Sequence, residues 1–391
     1  MERNPIRSTG FGLGRVAGIE VRADFSLLLI FSLIALDLGR GVFPQWHPEW
    51  GPGLRWLVAF CAALLFFASV LLHELSHALV GRTQGVTVRR ITLFLFGGIA
   101  HMEHEPPSAR AELLMTIVGP ITSLILGVVA TFLGIHLAGG EAVQVREPME
   151  LAREAGPIAT LLLWLGPVNV GLALFNMIPG FPLDGGRALR ALLWAITGSL
   201  TNATRWSAAI GRGFAWLLMA IGAIDVVGGA WGQGLWLVLI GWFLNNAALA
   251  SYQRVLVAQA LANVPVARLM RTQVDAITPD TTVEELVRQH LIASEQHGFP
   301  VAVDGELLGL VTRDDVRRVP HSEWQTTRVD AIMTPSDRLS TVTANAAADD
   351  ALSELARRDV DQIPVVEGRH LLGMVLRRDL LQWVALHETH A

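Results

Sequence analysis

The stretch Leu64-Leu65-Phe66-Phe67-Ala68-Ser69-Val70-Leu71-Leu72-His73-Glu74-Leu75-Ser76-His77-Ala78-Leu79-Val80 places an HExxH pentad inside an apolar run. Residues four apart on an α-helix share one face about 6 Å along the axis, so both imidazoles can reach one ion with Glu74 beside it. Ionisable groups in a segment of Leu, Ala, Phe and Val cost several kcal/mol to insert into lipid, which makes an intramembrane site the default hypothesis. The bland reading is a helix end meeting lipid headgroups.

Composition agrees with a membrane setting. The 391 residues are 52% hydrophobic and 17% charged, with a mean hydropathy of +0.44, too apolar for an ordinary soluble enzyme of this length. Cys61 is the single cysteine, which excludes intrachain disulfides and Cys-based metal sites and leaves His and carboxylate as ligands. All 30 basic residues are Arg, a composition bias with no mechanism attached. Residues 1–260 carry 17 Arg against 15 acids, whereas 261–391 carry 13 against 20, so the two parts differ chemically. No basic run suggests nucleic acid as a partner.

Residues 1–24 are polar, with Gly-rich turns and short alternating stretches, and predict a small hairpin on the membrane surface. No cleavage site follows the first apolar run, so no removable signal peptide is expected. Apolar spans follow at about 23–43, 54–80, 113–137, 156–178, 208–227 and 235–249, most near the 20 residues needed to cross a bilayer. Six crossings put both termini on one side. Arg is denser in the N-terminal segment, in 82–110 and in 179–212 than in the alternate loops, so the positive-inside rule predicts cytoplasmic termini in the cell membrane. Trp46, Trp50 and Trp56 fit either an interfacial belt or bundle packing.

A zinc hydrolase needs a third protein ligand and an open position for water. The best candidate is Asp184 in Phe175-Asn176-Met177-Ile178-Pro179-Gly180-Phe181-Pro182-Leu183-Asp184-Gly185-Gly186, the only acid between Glu154 and Asp225. Its prolines and glycines predict backbone outside regular helix, suited to a carboxylate reaching toward a neighbouring helix. His73 lies 19 residues past Leu54, about 28 Å down its helix, and Asp184 follows the fourth span, so both fall near the same face. A plain turn carboxylate is the other reading.

HELSH in an apolar helix followed by FNMIPGFPLDGG resembles the site-2 protease family of intramembrane zinc metalloproteases, over roughly residues 10–250. The resemblance implies that His73, His77 and Asp184 bind one Zn2+ and that Glu74 is general base and then proton donor. It also places Asn169 where the family stabilises the developing oxyanion, although an interhelical hydrogen bond would explain that amide equally well. Asn176 is expected to order the proline loop. Thr92–Ala100 is β-prone and contains Gly97 and Gly98, which resemble the family's substrate-binding strand and could add an unwound substrate as an extra strand. An ordinary membrane-associated hairpin is the alternative. His101 and His104 beside Glu103 and Glu105 read as a polar loop rather than a second metal site. Gly119-Pro120 permits tight packing or a kink, with no chemistry evident.

After a linker helix at 251–265, two repeats at 266–320 and 329–387 share a pattern: Pro300/Pro364, Gly309/Gly373 and Asp315/Asp379 are each 64 apart. They resemble a tandem pair of CBS domains. Such pairs imply adenine nucleotide (ATP or AMP), with Thr312 and Asp315 matching a Gly-x-x-Thr-x-x-Asp pattern, and make a homodimer an expectation. Leu376 replaces the hydroxyl in the second repeat, so at most one good nucleotide site is expected. A purely structural pair is the other reading.

The fold expected is therefore a polytopic α-helical membrane protein, residues 1–250, with about six transmembrane helices and short membrane-associated hairpins, followed by an α/β CBS pair. The function implied is zinc-dependent endoproteolysis of a single-span, membrane-anchored regulatory protein within the lipid bilayer. A CBS-regulated membrane transporter and a proteolytically inactive membrane-protein binder are the alternatives. The glutamate of HExxH argues against the first and the intact His73, Glu74, His77 and Asp184 against the second.

Overall fold

A computed structural model describes residues 10–102, 105–139, 153–291, 296 and 298–387, in two compact units that divide at residues 253 and 254. The first unit opens with the expected hairpin, β1 (Gly10–Val16) and β2 (Ile19–Asp24). Asp24 then caps the first long helix by accepting from the Ser26 backbone N–H.

Six helices are long and apolar enough to cross a membrane: α1 (Phe25–Trp46), α2 (Pro52–Thr83), α3 (Ala109–Leu137), α4 (Pro157–Asn176), α6 (Leu200–Val227) and α7 (Trp231–Ala262). They turn many large apolar side chains outward, among them Leu64, Phe132 and Ile224, each more than 60% exposed. Such outward apolar faces suit helices that stand in lipid. Between α4 and α6 lies the shorter amphipathic α5 (Asp184–Thr197). The last span runs without a break through residues 252–262, so the expected linker helix is the end of α7.

Strands β3 (Val88–Phe94) and β4 (Gly97–Met102) join the N-terminal hairpin in a sheet of order β1-β2-β3-β4. The β2–β3 pairing is parallel, with Val21 opposite Ile91 and Ala23 opposite Leu93, because α1 and α2 form the crossover between them. Ile19, Ala23, Ile91 and Leu93 face Phe67, Val70, Leu75 and Ala78 of α2 in one apolar core. The sheet is thereby held on the helix that carries the HExxH pentad. Among the described residues no strand pairs with the outer edge of β4.

Packing inside the bundle explains the tryptophans of the first loop. Trp46 and Trp50 pack with Phe43 and Val58, and Trp56 lies against Gly39.

In the second unit, β5 (Gly298–Val303), β6 (Glu306–Thr312), β9 (His370–Leu376) and β8 (Gln362–Glu367) form one sheet in that order, with the two-residue β7 (Thr334–Pro335) beside β6. Each repeat has its own apolar core, around Phe299, Val301 and Val311 in the first and Leu355, Ile363 and Leu380 in the second. Helices α8 (Ala348–Arg358) and α9 (Arg377–His387) cover the second.

Candidate metal centre

His73, Glu74 and His77 lie on α2, and both imidazoles are buried. Their Nε2 atoms are 3.1 Å apart, and Asp184 Oδ2 lies 3.0 Å from that of His73 and 3.2 Å from that of His77. A tetrahedral zinc site with bonds of about 2.0 Å separates its donors by about 3.3 Å. The three atoms therefore form one face of such a site, and the donor set fits the ion. Among the described residues no other group of three or more His, Cys or acidic side chains could hold a metal.

The remaining ring nitrogens explain how the imidazoles are held. His77 Nδ1 is 2.7 Å from the Met115 carbonyl, which can only accept, so Nδ1 carries a proton and Nε2 is the nitrogen turned toward His73 and Asp184. His73 Nδ1 lies 2.9 Å from Ser123 Oγ, itself fully buried. Both partners belong to α3. Such outer partners fix ring orientation and raise ligand basicity.

Asp184 is the first residue of α5, not part of an irregular loop as its prolines and glycines had suggested. The irregular segment ends one residue earlier, at the extended Leu183. A Cβ on Gly185 would meet the Met177 carbonyl oxygen at 2.3 Å and one on Gly186 the Gly180 backbone at 2.2 Å, so these glycines let the helix begin pressed against its own loop.

Two glycines close the centre. Gly119 of α3 lies against both imidazoles: a Cβ there would be 2.1 Å from His77 Nε2 and 2.8 Å from His73 Nε2. Gly98 of β4 lies over the base, with a Cβ there 2.3 Å from Glu74 Cγ and 3.1 Å from Oε1. Gly97, at φ 127°, makes the turn that brings it there. The sequence reading missed the role of Gly119, and Ser123 and Met115 entirely. Their spacing on α3 is a helical stripe with no chemical signature of its own.

Asn169 is fully buried on α4. Its Nδ2 donates to the Leu165 carbonyl at 2.9 Å, while Oδ1 has no partner. Asn176 likewise donates to its own helix, at Leu172, rather than to the proline loop. Glu103 and His104 lie outside the described residues.

In the second unit Thr312 and Asp315 form a reciprocal capping box. The Thr312 hydroxyl and backbone N–H donate to Asp315 Oδ2 at 2.6 and 2.9 Å, and the Asp315 N–H donates back to the hydroxyl. The equivalent Asp379 receives a bidentate pair from Arg271, at 2.6 and 2.8 Å.

Two imidazoles and a carboxylate converging among long apolar helices, with Glu74 on the same helix as the histidines, match the donor set of a metallopeptidase. The profile of Peptidase family M50 matches residues 61–220, and that of the CBS domain matches 266–322 and 329–386. Rip3 of Mycobacterium tuberculosis, named as a candidate zinc metalloprotease, is 34% identical over 381 residues, covering 96% of this chain and 93% of Rip3. The similarly named sll0528 of Synechocystis sp. is 32% identical, covering 95% of this chain and 94% of its own. A site-2 protease structure from Methanocaldococcus jannaschii is 28% identical, covering 62% of this chain and 95% of that one, at a TM-score of 0.43. The chain belongs to peptidase family M50, the site-2 proteases, and is a multi-pass membrane metalloendopeptidase with tandem CBS domains.

Proposed function

We propose that His73, His77 and Asp184 hold one Zn2+, and that the chain hydrolyses a peptide bond in or near the transmembrane segment of a membrane-anchored regulatory protein. The observation that carries this is the 3.0–3.2 Å triangle of donor atoms, which matches a tetrahedral face. When bound, zinc supplies a Lewis acid that acidifies water and polarises a carbonyl.

Glu74 acts as the base that accepts the proton of water and returns it to the leaving amine. Its place on the same helix as the two histidines and against Gly98 of β4 supports that role. Strand β4, through Gly97 and Gly98, holds the substrate extended by pairing along its outer edge, because a helical peptide hides its bonds. The buried amide of Asn169 serves the developing oxyanion through its second N–H.

Arg distribution supports cytoplasmic termini and a cytoplasmic CBS pair. In that pair Thr312 and Asp315 are the nucleotide contacts, and ATP or AMP bound there biases access to the membrane site. The second repeat has Leu376 where the first has Thr312 and provides no equivalent. The test is cleavage of a single-span reporter by the full-length chain, with and without chelator and with and without millimolar ATP or AMP. Chelation abolishes cleavage and nucleotide changes its rate; unchanged cleavage after complete metal removal would refute the hydrolytic reading, and calorimetry without nucleotide binding would refute the regulatory one.

A further inference from the structure

Asp184 is the only donor that does not come from α2, so its reach depends on where α5 sits. Arg190 lies six residues further along α5, about 9 Å along the axis, and is 3% exposed. Its Nε donates to Glu112 Oε1 at 2.6 Å, Nη2 contacts that same oxygen, and Nη2 also donates to Glu105 Oε2 at 2.9 Å. The guanidinium also stands 5.2 Å from the centroid of the buried Phe181 ring, in the loop that leads into Asp184.

Glu112 is fully buried at the start of α3. It lies on the same buried face of that helix as Met115, Gly119 and Ser123, which orient and flank the two imidazoles. One stripe of α3 therefore holds the histidines at one level and the helix of the third ligand at another. A buried pair of this kind is weak evidence for stability but a strong constraint on register, because losing either partner leaves the other only a weaker one: Arg187, 3.9 Å from Glu112, or the half-exposed Glu105.

We propose that the Arg190–Glu112 pair is the positioning device for the third metal ligand: it locks α5 against α3 so that Asp184 meets His73 and His77. Arg190 and Glu112 touch no reacting atom and act through Asp184. Phe181 under the guanidinium ties the preceding loop to the same lock. Glu105, 47% exposed, is an accessory partner.

This inference rests on the metal reading above, and one experiment separates the two. Zinc affinity of the detergent-purified full-length chain is measured by chelator competition, together with the visible spectrum of the Co2+-substituted protein. If the wild type binds no zinc, the metal reading itself fails. If it does, Arg190→Gln and the isosteric Glu112→Gln are expected to weaken zinc by about 10- to 100-fold, as outer-shell partners do, and to alter the cobalt bands. Glu105→Gln should stay within about threefold on the same outer-shell reasoning, and Arg190→Lys should recover part of the loss. A purely structural pair would lower the melting temperature while leaving zinc affinity and cobalt spectrum unchanged. That result in folded Glu112→Gln protein would overturn the proposal even if Arg190→Gln fails to fold.

Discussion

Gly119 approaches His77 so closely that a single added methyl would lie 2.1 Å from Nε2. The face of α2 that carries His73 and His77 is thus covered by bare backbone from α3, and the imidazoles cannot swing toward that helix. The contact turns a packing residue into part of the site.

Gly119→Ala should therefore displace one or both rings, with at least about a tenfold loss of zinc affinity, by analogy with disturbed outer-shell contacts. Gly171→Ala is the control, since a methyl at Gly171 has nothing within 4 Å. Zinc content and reporter cleavage of both variants, compared at equal amounts of folded protein, check this.

Glu74→Gln keeps a side chain of the same shape but removes the base. Zinc should remain bound at one per chain while cleavage falls about 10²- to 10⁴-fold, the range expected for a positioned general base. Elemental analysis and single-turnover cleavage on one preparation decide it, and a fully active variant would remove Glu74 from the mechanism.

Gly98→Val should abolish cleavage while leaving zinc in place, because its side chain would intrude on Glu74 rather than on the metal donors. Gly97→Ala works differently: nothing lies within 4 Å, but φ is 127°, so the cost is backbone strain of about 1–3 kcal/mol. Zinc retention paired with cleavage distinguishes these outcomes from a general collapse of the site.

In the CBS pair, Thr312→Ala should cost about 1 kcal/mol by removing an N-cap, whether or not nucleotide is present. Thr312→Ser should keep the cap. Thermal unfolding of both variants measures this, and it guards against reading lost stability as lost nucleotide binding.

The sequence made the pentad legible because His73 and His77 sit one helical turn apart, a relation that helix geometry alone dictates. The membrane spans were legible for a similarly local reason, an uninterrupted apolar length. Asp184 was found because acids are scarce around it, but its place at the start of α5 was hidden. That helix begins only because Gly185 and Gly186 can rest on the preceding loop, a tertiary contact. Gly119, Ser123 and Met115 were illegible as site residues for the same reason: what they do depends on which helix packs against α2. The Arg190–Glu112 pair joins residues 78 apart, and no local pattern announces it.

Absorption spectroscopy at the zinc edge of the purified full-length wild type, beside Asp184→Ala, tests the central assignment most directly. The account predicts one zinc per chain in the wild type, in a four-coordinate shell with two imidazoles and oxygen donors at about 2.0 Å, and a weakened or altered site in the variant. A wild type without zinc, or an unchanged zinc shell in the variant, would contradict it.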